Sequence, residues 1–337
     1  MTPSSDAGDP RPGGASPQNA PGPSGTRHDL VLPGIRFSAL RWSPPAGAGS
    51  DGRHLVILHG VTGNAMAWDG VGMALARQGW TVDALDLPGH GRTRWTDGDG
   101  LPVPDQESVG AERYELRHVG ELVARAIRTL PPLPPRAGTT SPPATPAILG
   151  HSWGAGVAVM AIDAGAPVAR LVLLDPPFMT PAQGAEMASS FAAELRPGMD
   201  LDAARALVRE QGETGESVEA RAHAIIETSP LAAGAIARGG PRNPVEVMAA
   251  WRARHPDLPV DVIAGDPSSG GMIPPPVLRL LRMALGPSHV HEMPGLGHSP
   301  NREDRERFMQ VLGEVLGQHP GQGPAQVPGQ VPGQGRG

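Results

Sequence analysis

Apolar residues along this chain fall into two recurring patterns. The first is a set of short segments rich in apolar residues: His54 to Leu58 (HLVIL), Thr81 to Asp86, Ala147 to Gly150, Val168 to Leu174, Pro259 to Ala264 and His289 to Met293. The run at 54–58 predicts a buried strand, and the others predict further short strands. Between them apolar positions recur every three or four residues. In Val109 to Thr129, Leu116, Val119, Leu122, Val123, Ala126 and Ile127 share one helical face, and Pro131 stops the helix. Further helices are expected over 65–78, 153–164, 276–285 and 301–316, and an opening strand or hairpin over 30–42. Strands alternating with helices predict an α/β fold with a mostly parallel central sheet flanked by helices.

Three stretches break the alternation. Residues 176–258 carry no strand pattern and are rich in Ala, Glu, Arg and Met, which predicts a helical insertion between two late strands. Residues 1–27 are dominated by Pro, Gly, Ser and Asp, and 317–337 repeat a Gly, Gln, Val and Pro theme; both compositions lack the apolar side chains to build a core and are expected to be disordered. The expected organisation is therefore a core of 28–175 and 259–316, an insertion of 176–258, and two tails.

Composition narrows the chemistry. The 337 residues are 39% hydrophobic, enough for one large core. Cysteine is absent, so disulfides, thiolate metal sites and a cysteine nucleophile are excluded, and covalent catalysis would need a hydroxyl or a carboxylate. The net charge of -6 argues against a nucleic-acid partner, and every basic residue is an Arg. No run approaches the ~18 to 20 apolar residues needed to cross a bilayer, so no membrane partner and a cytoplasmic location are expected. No HExxH, Asp-rich loop, dinucleotide-binding glycine motif or Walker loop is present, so neither metal nor cofactor is expected. Oligomeric state leaves no trace in the sequence.

Chemistry concentrates at Gly150-His151-Ser152-Trp153-Gly154, where a strand runs into a helix. This is a G-x-S-x-G nucleophile elbow: a sharp turn exposes the seryl oxygen, and glycines are needed beside it because no larger side chain fits. The helix beginning at Trp153 aims backbone N–H groups and its positive end at the oxygen where charge develops. His59-Gly60-Val61-Thr62-Gly63-Asn64 follows another buried strand, and Val61 and Trp153 are the expected oxyanion-hole donors. Asp86-Leu87-Pro88-Gly89-His90-Gly91 reads as a braced turn beside the pocket.

Taken together, the His-Gly loop, the DLPGHG turn, the GHSWG elbow, an acid after a late strand and a late GLGH resemble the α/β-hydrolase-fold superfamily over roughly residues 30–316. That resemblance implies the chain order Ser, acid, His, hence Ser152 as nucleophile, Asp266 as orienting acid and His298 as general base. Asp266 follows Val262-Ile263-Ala264-Gly265 at the family's usual position; Asp175, after Leu173-Leu174, is the alternative, because some members place the acid there. The insertion then corresponds to a cap over the nucleophile. Phe178, Met179, Met187, Phe191, Leu195, Met199, Met248 and Trp251 are candidates to line an apolar pocket, and Arg196, Arg205, Arg209 and Arg221 candidates to bind a carboxylate.

The implied activity is hydrolysis of a small or medium-sized ester, a small-molecule substrate, through an acyl-enzyme on Ser152. Amide, lactone, thioester and carbon–carbon bonds yield to the same machinery. A non-hydrolytic member (lyase, cofactor-free perhydrolase or ligand-binding protein) is the alternative from another class, since fold does not fix reaction.

Overall fold

The computed structural model describes residues 25–45, 52–133, 144–237 and 250–317. The strands are β1 (Thr26–Leu32), β2 (Ile35–Trp42), β3 (His54–Leu58), β4 (Thr81–Leu85), β5 (Arg94–Trp95), β6 (Ala147–His151), β7 (Arg170–Leu174), β8 (Val260–Gly265) and β9 (Val290–Met293). The helices are α1 (Asp69–Arg77), α2 (Leu116–Thr129), α3 (Trp153–Asp163), α4 (Pro181–Glu194), α5 (Leu201–Glu210), α6 (Glu216–Glu227), α7 (Pro230–Ala233), α8 (250–254), α9 (Pro275–Leu285), α10 (Pro300–Glu303) and α11 (Arg305–Val315). Strand order is β1-β2-β4-β3-β6-β7-β8-β9, with the short β5 pairing β2. The pairs β1/β2, β2/β4 and β2/β5 are antiparallel. All the others are parallel.

The predicted runs became strands, and the central ones are covered on both faces, whereas β9 at the sheet edge leaves Glu292 exposed. Along β3, Leu55 and Ile57 face the layer that contains Trp68, Leu75, Phe308 and Leu312 of the α1 and α11 side. Val56 and Leu58 face the layer built from α2, α3 and α9. The apolar stripe of α2 is buried as its spacing requires, at Val119, Leu122, Val123, Ala126 and Ile127. The expected opening hairpin is β1/β2, turned at Pro33-Gly34, where Gly34 takes φ +81 as a two-residue hairpin demands. The terminal helix is interrupted: Asp304 leaves helical backbone (φ -145) and caps α11 by accepting from the Arg307 N–H.

One boundary moves. Thr26 and Arg27 belong to β1 rather than to a disordered segment, and Arg27 Nη1 lies 2.7 Å from both Asp86 Oδ2 and Ser38 Oγ. A composition dominated by Pro and Gly hid an ion pair 59 residues apart in sequence. The rest of that expected segment, 1–24, and residues 318–337 lie outside the described residues.

Between β7 and β8 the chain forms helices α4 to α8, as the absence of strand patterning predicted; 238–249 lie outside the described residues. Helix α4 begins with a full capping box from Thr180 and Gln183. Helices α5 and α6 share a small apolar cluster of their own, Ala204, Val208, Val218, Ala222 and Ile225. Among the described residues no helix is long and apolar enough to cross a membrane.

Candidate active site

The parallel strands β3, β6 and β7 are neighbours, and their carboxyl ends deliver the three loops that matter: 59–64, the Ser152 elbow, and Asp175. Such ends are where open α/β sheets gather ligands. Ser152 sits between β6 and α3 with φ 53 and ψ -124, a strained conformation held by its N–H donating to Leu174 O at 2.9 Å. The flanking glycines are obligatory. A Cβ on Gly150 would lie 2.4 Å from Gly154 O, and one on Gly154 2.3 Å from Leu58 O. The elbow thus turns because two backbone segments approach closer than any side chain permits.

The loop after β3 lies against this elbow: a Cβ on Gly60 would be 3.1 Å from the Ser152 Cβ. The peptide joining Gly60 to Val61 is fixed through its carbonyl, which accepts from the Gly63 N–H at 2.9 Å and from His59 Nδ1 at 2.7 Å. The Leu87 N–H donates to His59 Nε2 at 3.0 Å, so the ring carries its proton on Nδ1. Burial, and then the neighbouring His90, push the His59 pKa well below its ordinary value, which keeps that tautomer neutral. Because C=O and N–H of a trans peptide point oppositely, holding Gly60 O fixes the direction of the Val61 N–H. Burial lowers the His90 pKa against the raising effect of its carbonyl contacts; its Nε2 bonds to Val61 O, and its ring lies 5.9 Å from that of Trp153. Asp86 braces the same region as expected, accepting from the Ala65 and Arg92 N–H groups at 2.7 and 3.0 Å besides Arg27.

His298 follows β9, in the turn before α10. Its Nδ1 is 2.6 Å from Asp175 Oδ2. Asp175 is fully buried, and its φ of 40 swings the carboxylate beneath the His298 turn. The same carboxylate accepts from the Gly265 N–H (3.0 Å) and the Met272 N–H (2.8 Å). Three donors converge on it, so an ionised carboxylate is the species that fits, and His298 donates from Nδ1, leaving the Nε2 lone pair available.

Asp266, expected to orient His298, does not touch it. Oδ1 of Asp266 accepts from Ser268 N–H and Oγ (2.8 and 2.6 Å), and Oδ2 from the Gly295 N–H (2.8 Å). The Ser268 hydroxyl first, then the backbone donors of Gly295 and Ser268, hold its carboxyl below the usual carboxylate range. The acid beside His298 is therefore corrected from Asp266 to Asp175. The reason is local: Ser268 and the Gly295 N–H occupy the Asp266 carboxylate, whereas the Gly265 and Met272 N–H groups hold the buried Asp175 carboxylate against His298 Nδ1.

His151 forms the floor. Its Nε2 donates to His298 O at 2.9 Å, and the two rings lie 4.8 Å apart. Burial first, then His298, push its pKa down to about 3, so it stays neutral beside the neighbouring imidazole.

Ser152 and His298 open into one cavity of ≈ 1300 Å³ that also takes in Val61, Asn64, Phe191 and Arg221. Core and insertion meet here, Asn64 Nδ2 donating to Ala220 O at 2.8 Å. Of the apolar candidates, Phe191 lines the cavity. Phe178, Met179, Met187 and Trp251 pack into the main core, Leu195 is buried, and Met199 joins the α5/α6 cluster. Met248 lies outside the described residues. Arg221 reaches the cavity but is paired with Glu194, Arg205 binds Glu219 and Asp202, and Arg196 bonds backbone carbonyls. Sequence reading missed Asn301 and Arg302, which line the cavity; their place just after His298 was the available signal. Among the described residues no group of three or more His, Asp or Glu is arranged to hold a metal ion.

Residues 55–311 match the model of the alpha/beta hydrolase family, and the chain belongs to that family. An 88-residue stretch is 37% identical to Esterase Rv0045c of Mycobacterium tuberculosis; the match spans 26% of this chain and 26% of that esterase. Among solved structures, E-2-(acetamidomethylene)succinate hydrolase is similar with a TM-score of 0.65 at 18% identity, covering 87% of this chain and 99% of the other. The thioesterase domain from the curacin biosynthetic pathway is similar with a TM-score of 0.57 at 19% identity, covering 87% and 99%. At those identities the likeness concerns the fold.

Proposed function

We propose that the protein is a serine hydrolase that cleaves a small or medium-sized carboxylic ester through an acyl-enzyme on Ser152. The observation that carries this reading is the buried Asp175 carboxylate bonded to His298 Nδ1, beside an elbow serine that opens into the same cavity. Neutral His298 takes the seryl proton on Nε2 as Oγ attacks the ester carbonyl. The oxyanion that forms is met by the N–H groups of Val61 and Trp153, while Asp175 stabilises the new imidazolium. His298 then returns the proton to the departing alkoxide, giving the alcohol and the acyl-Ser152 ester. Water, deprotonated by the same imidazole, attacks that ester; the acid leaves and Ser152 regains its proton.

Helices α4 to α8 act in this reading as a cap that governs access to Ser152. Ester is preferred over amide, lactone or thioester because the sequence relative is named an esterase. The test is rapid mixing with p-nitrophenyl esters of increasing acyl length. A burst of about one nitrophenolate per active site, absent from Ser152→Ala, is the expected result; a folded protein without burst or turnover on any acyl length refutes the ester reading in favour of a non-hydrolytic member of the fold.

A further inference from the structure

Most ionic groups that line the cavity are already engaged. Arg27 is held by Asp86, Arg221 by Glu194, and Glu219 by Arg205. Glu303 accepts from the backbone N–H groups of Gly297 and Ser299. Arg92 and Arg302 line the cavity with no salt bridge to a carboxylate among the described residues, and of the two Arg302 stands beside the base in sequence, four residues beyond His298. The Arg302 side chain makes one long contact, 3.4 Å, to Ser299 Oγ.

Beside it, Asn301 also lines the cavity. Its exposure is only 6%, and its Oδ1 is buried without a hydrogen-bond partner. A buried amide oxygen left unbonded is destabilising, so such a group in a native protein calls for a missing partner. Amide oxygen and nitrogen are interchangeable by a flip of the side chain. An Asn301 that turns its NH₂ inward, next to an unpaired guanidinium, offers two kinds of donor and one positive charge. That donor set suits a carboxylate. The charge also acts at short range, since Arg302 adds to the effects of burial and His298 that keep His151 neutral.

We propose that Asn301 and Arg302, at the start of α10, form a carboxylate subsite next to His298, and that the substrate is an ester carrying a free carboxylate near the scissile bond. This rests on the serine hydrolase reading. Because the subsite follows the base by three and four residues, a carboxylate held there sets the distance between the anionic end of the substrate and the carbonyl that Ser152 attacks. Substrates with a neutral end leave Arg302 solvated and gain nothing from it.

The experiment compares mono-p-nitrophenyl succinate with its methyl ester, which has the same chain without the charge. It also measures how far succinate and dimethyl succinate slow the labelling of Ser152 by a fluorophosphonate. Expected is a kcat/KM ratio of acid to methyl ester of about ten or more, the worth of one charge-assisted hydrogen bond, and protection by succinate alone. Arg302→Gln and Asn301→Leu should each lower that ratio and that protection several-fold. Equal treatment of acid and methyl ester, with Ser152 still labelled and the methyl ester turned over, overturns the subsite and leaves the hydrolase standing. If Ser152 is labelled but neither ester turns over, protection decides: succinate and dimethyl succinate acting alike overturns the subsite. No labelling of folded protein sinks both readings together.

Discussion

Replacing Asp175 by Asn separates the two candidate acids with almost no change of shape. Asn tolerates a left-handed backbone nearly as readily as Asp, so the φ of 40 is no obstacle. The hydrogen-bond pattern is the obstacle. Oδ2 of Asp175 receives two donors, Met272 N–H and His298 Nδ1–H, and Oδ1 receives the Gly265 N–H. An amide oxygen placed at Oδ2 keeps two of these but sets its NH₂ against Gly265 N–H; the flipped amide sets NH₂ against the other two. In either orientation a buried donor loses its acceptor, at about 1 to 3 kcal/mol, and the imidazolium formed on His298 loses its counter-charge. In a Ser-His-Asp hydrolase the Asp-to-Asn change lowers kcat by roughly 10⁴-fold, about 5.5 kcal/mol at about 1.4 kcal/mol per decade. For Asp266→Asn the arithmetic is small: Asn caps a helix as well as Asp, and one bond to the Gly295 N–H is lost, about 1 kcal/mol of stability. The assay is kcat/KM on a p-nitrophenyl ester, with thermal melts on the same preparations. The account requires Asp175→Asn to cost about three to four decades in rate while Asp266→Asn stays within a few-fold; the opposite ranking, in folded proteins, refutes the geometry.

Val61→Pro removes one proposed oxyanion donor outright, so kcat should fall about 10² to 10³-fold with little change in KM; unchanged kcat means the donor lies elsewhere. Arg27→Ala should lower the melting temperature, because it leaves Asp86, fully buried, without its ion-pair partner; an unchanged melt would show that the ion pair contributes nothing to stability. Stability should fall as pH drops below about 6.5, the ordinary histidine value. The unfolded chain takes up protons there, while folded His59 and His151, the latter down to about 3, remain neutral. Melts recorded from pH 7.5 to 4.5 should show that decline, shallower in His151→Gln, and a flat profile would contradict it.

The parts of the fold that are local in sequence were legible in it. A buried strand needs a short, mostly apolar run, an elbow needs two glycines around a serine, and α2 needs its apolar stripe; each can be seen within twenty residues. The acid could not be, because Leu173-Leu174-Asp175-Pro176 and Ala264-Gly265-Asp266-Pro267 present the same signature, an Asp-Pro after an apolar strand. What distinguishes them is which backbone turns left-handed and which carboxylate the folded chain brings to His298 rather than to Gly295, and neither is visible before the sheet is assembled. The cavity wall was equally hidden. Helical spacing marks Met187, Phe191 and Met199 alike as apolar, and only the packing of α4 to α6 decides that Phe191, which packs on the core as Met187 does, also lines the cavity. Arg27 illustrates the converse error, since a strand that begins inside a Pro and Gly-rich stretch is defined by its pairing with β2, and its Arg27 side chain by Asp86 far along the chain.

The most direct test of the central claim is reaction of the folded protein with a fluorophosphonate, followed by peptide mass spectrometry. The account predicts a single covalent adduct on Ser152, formed quickly by the native protein, far more slowly by His298→Ala and Asp175→Asn, and at the native rate by Asp266→Asn. An unmodified Ser152 in a folded sample, or an adduct that forms at the native rate without His298, would contradict it.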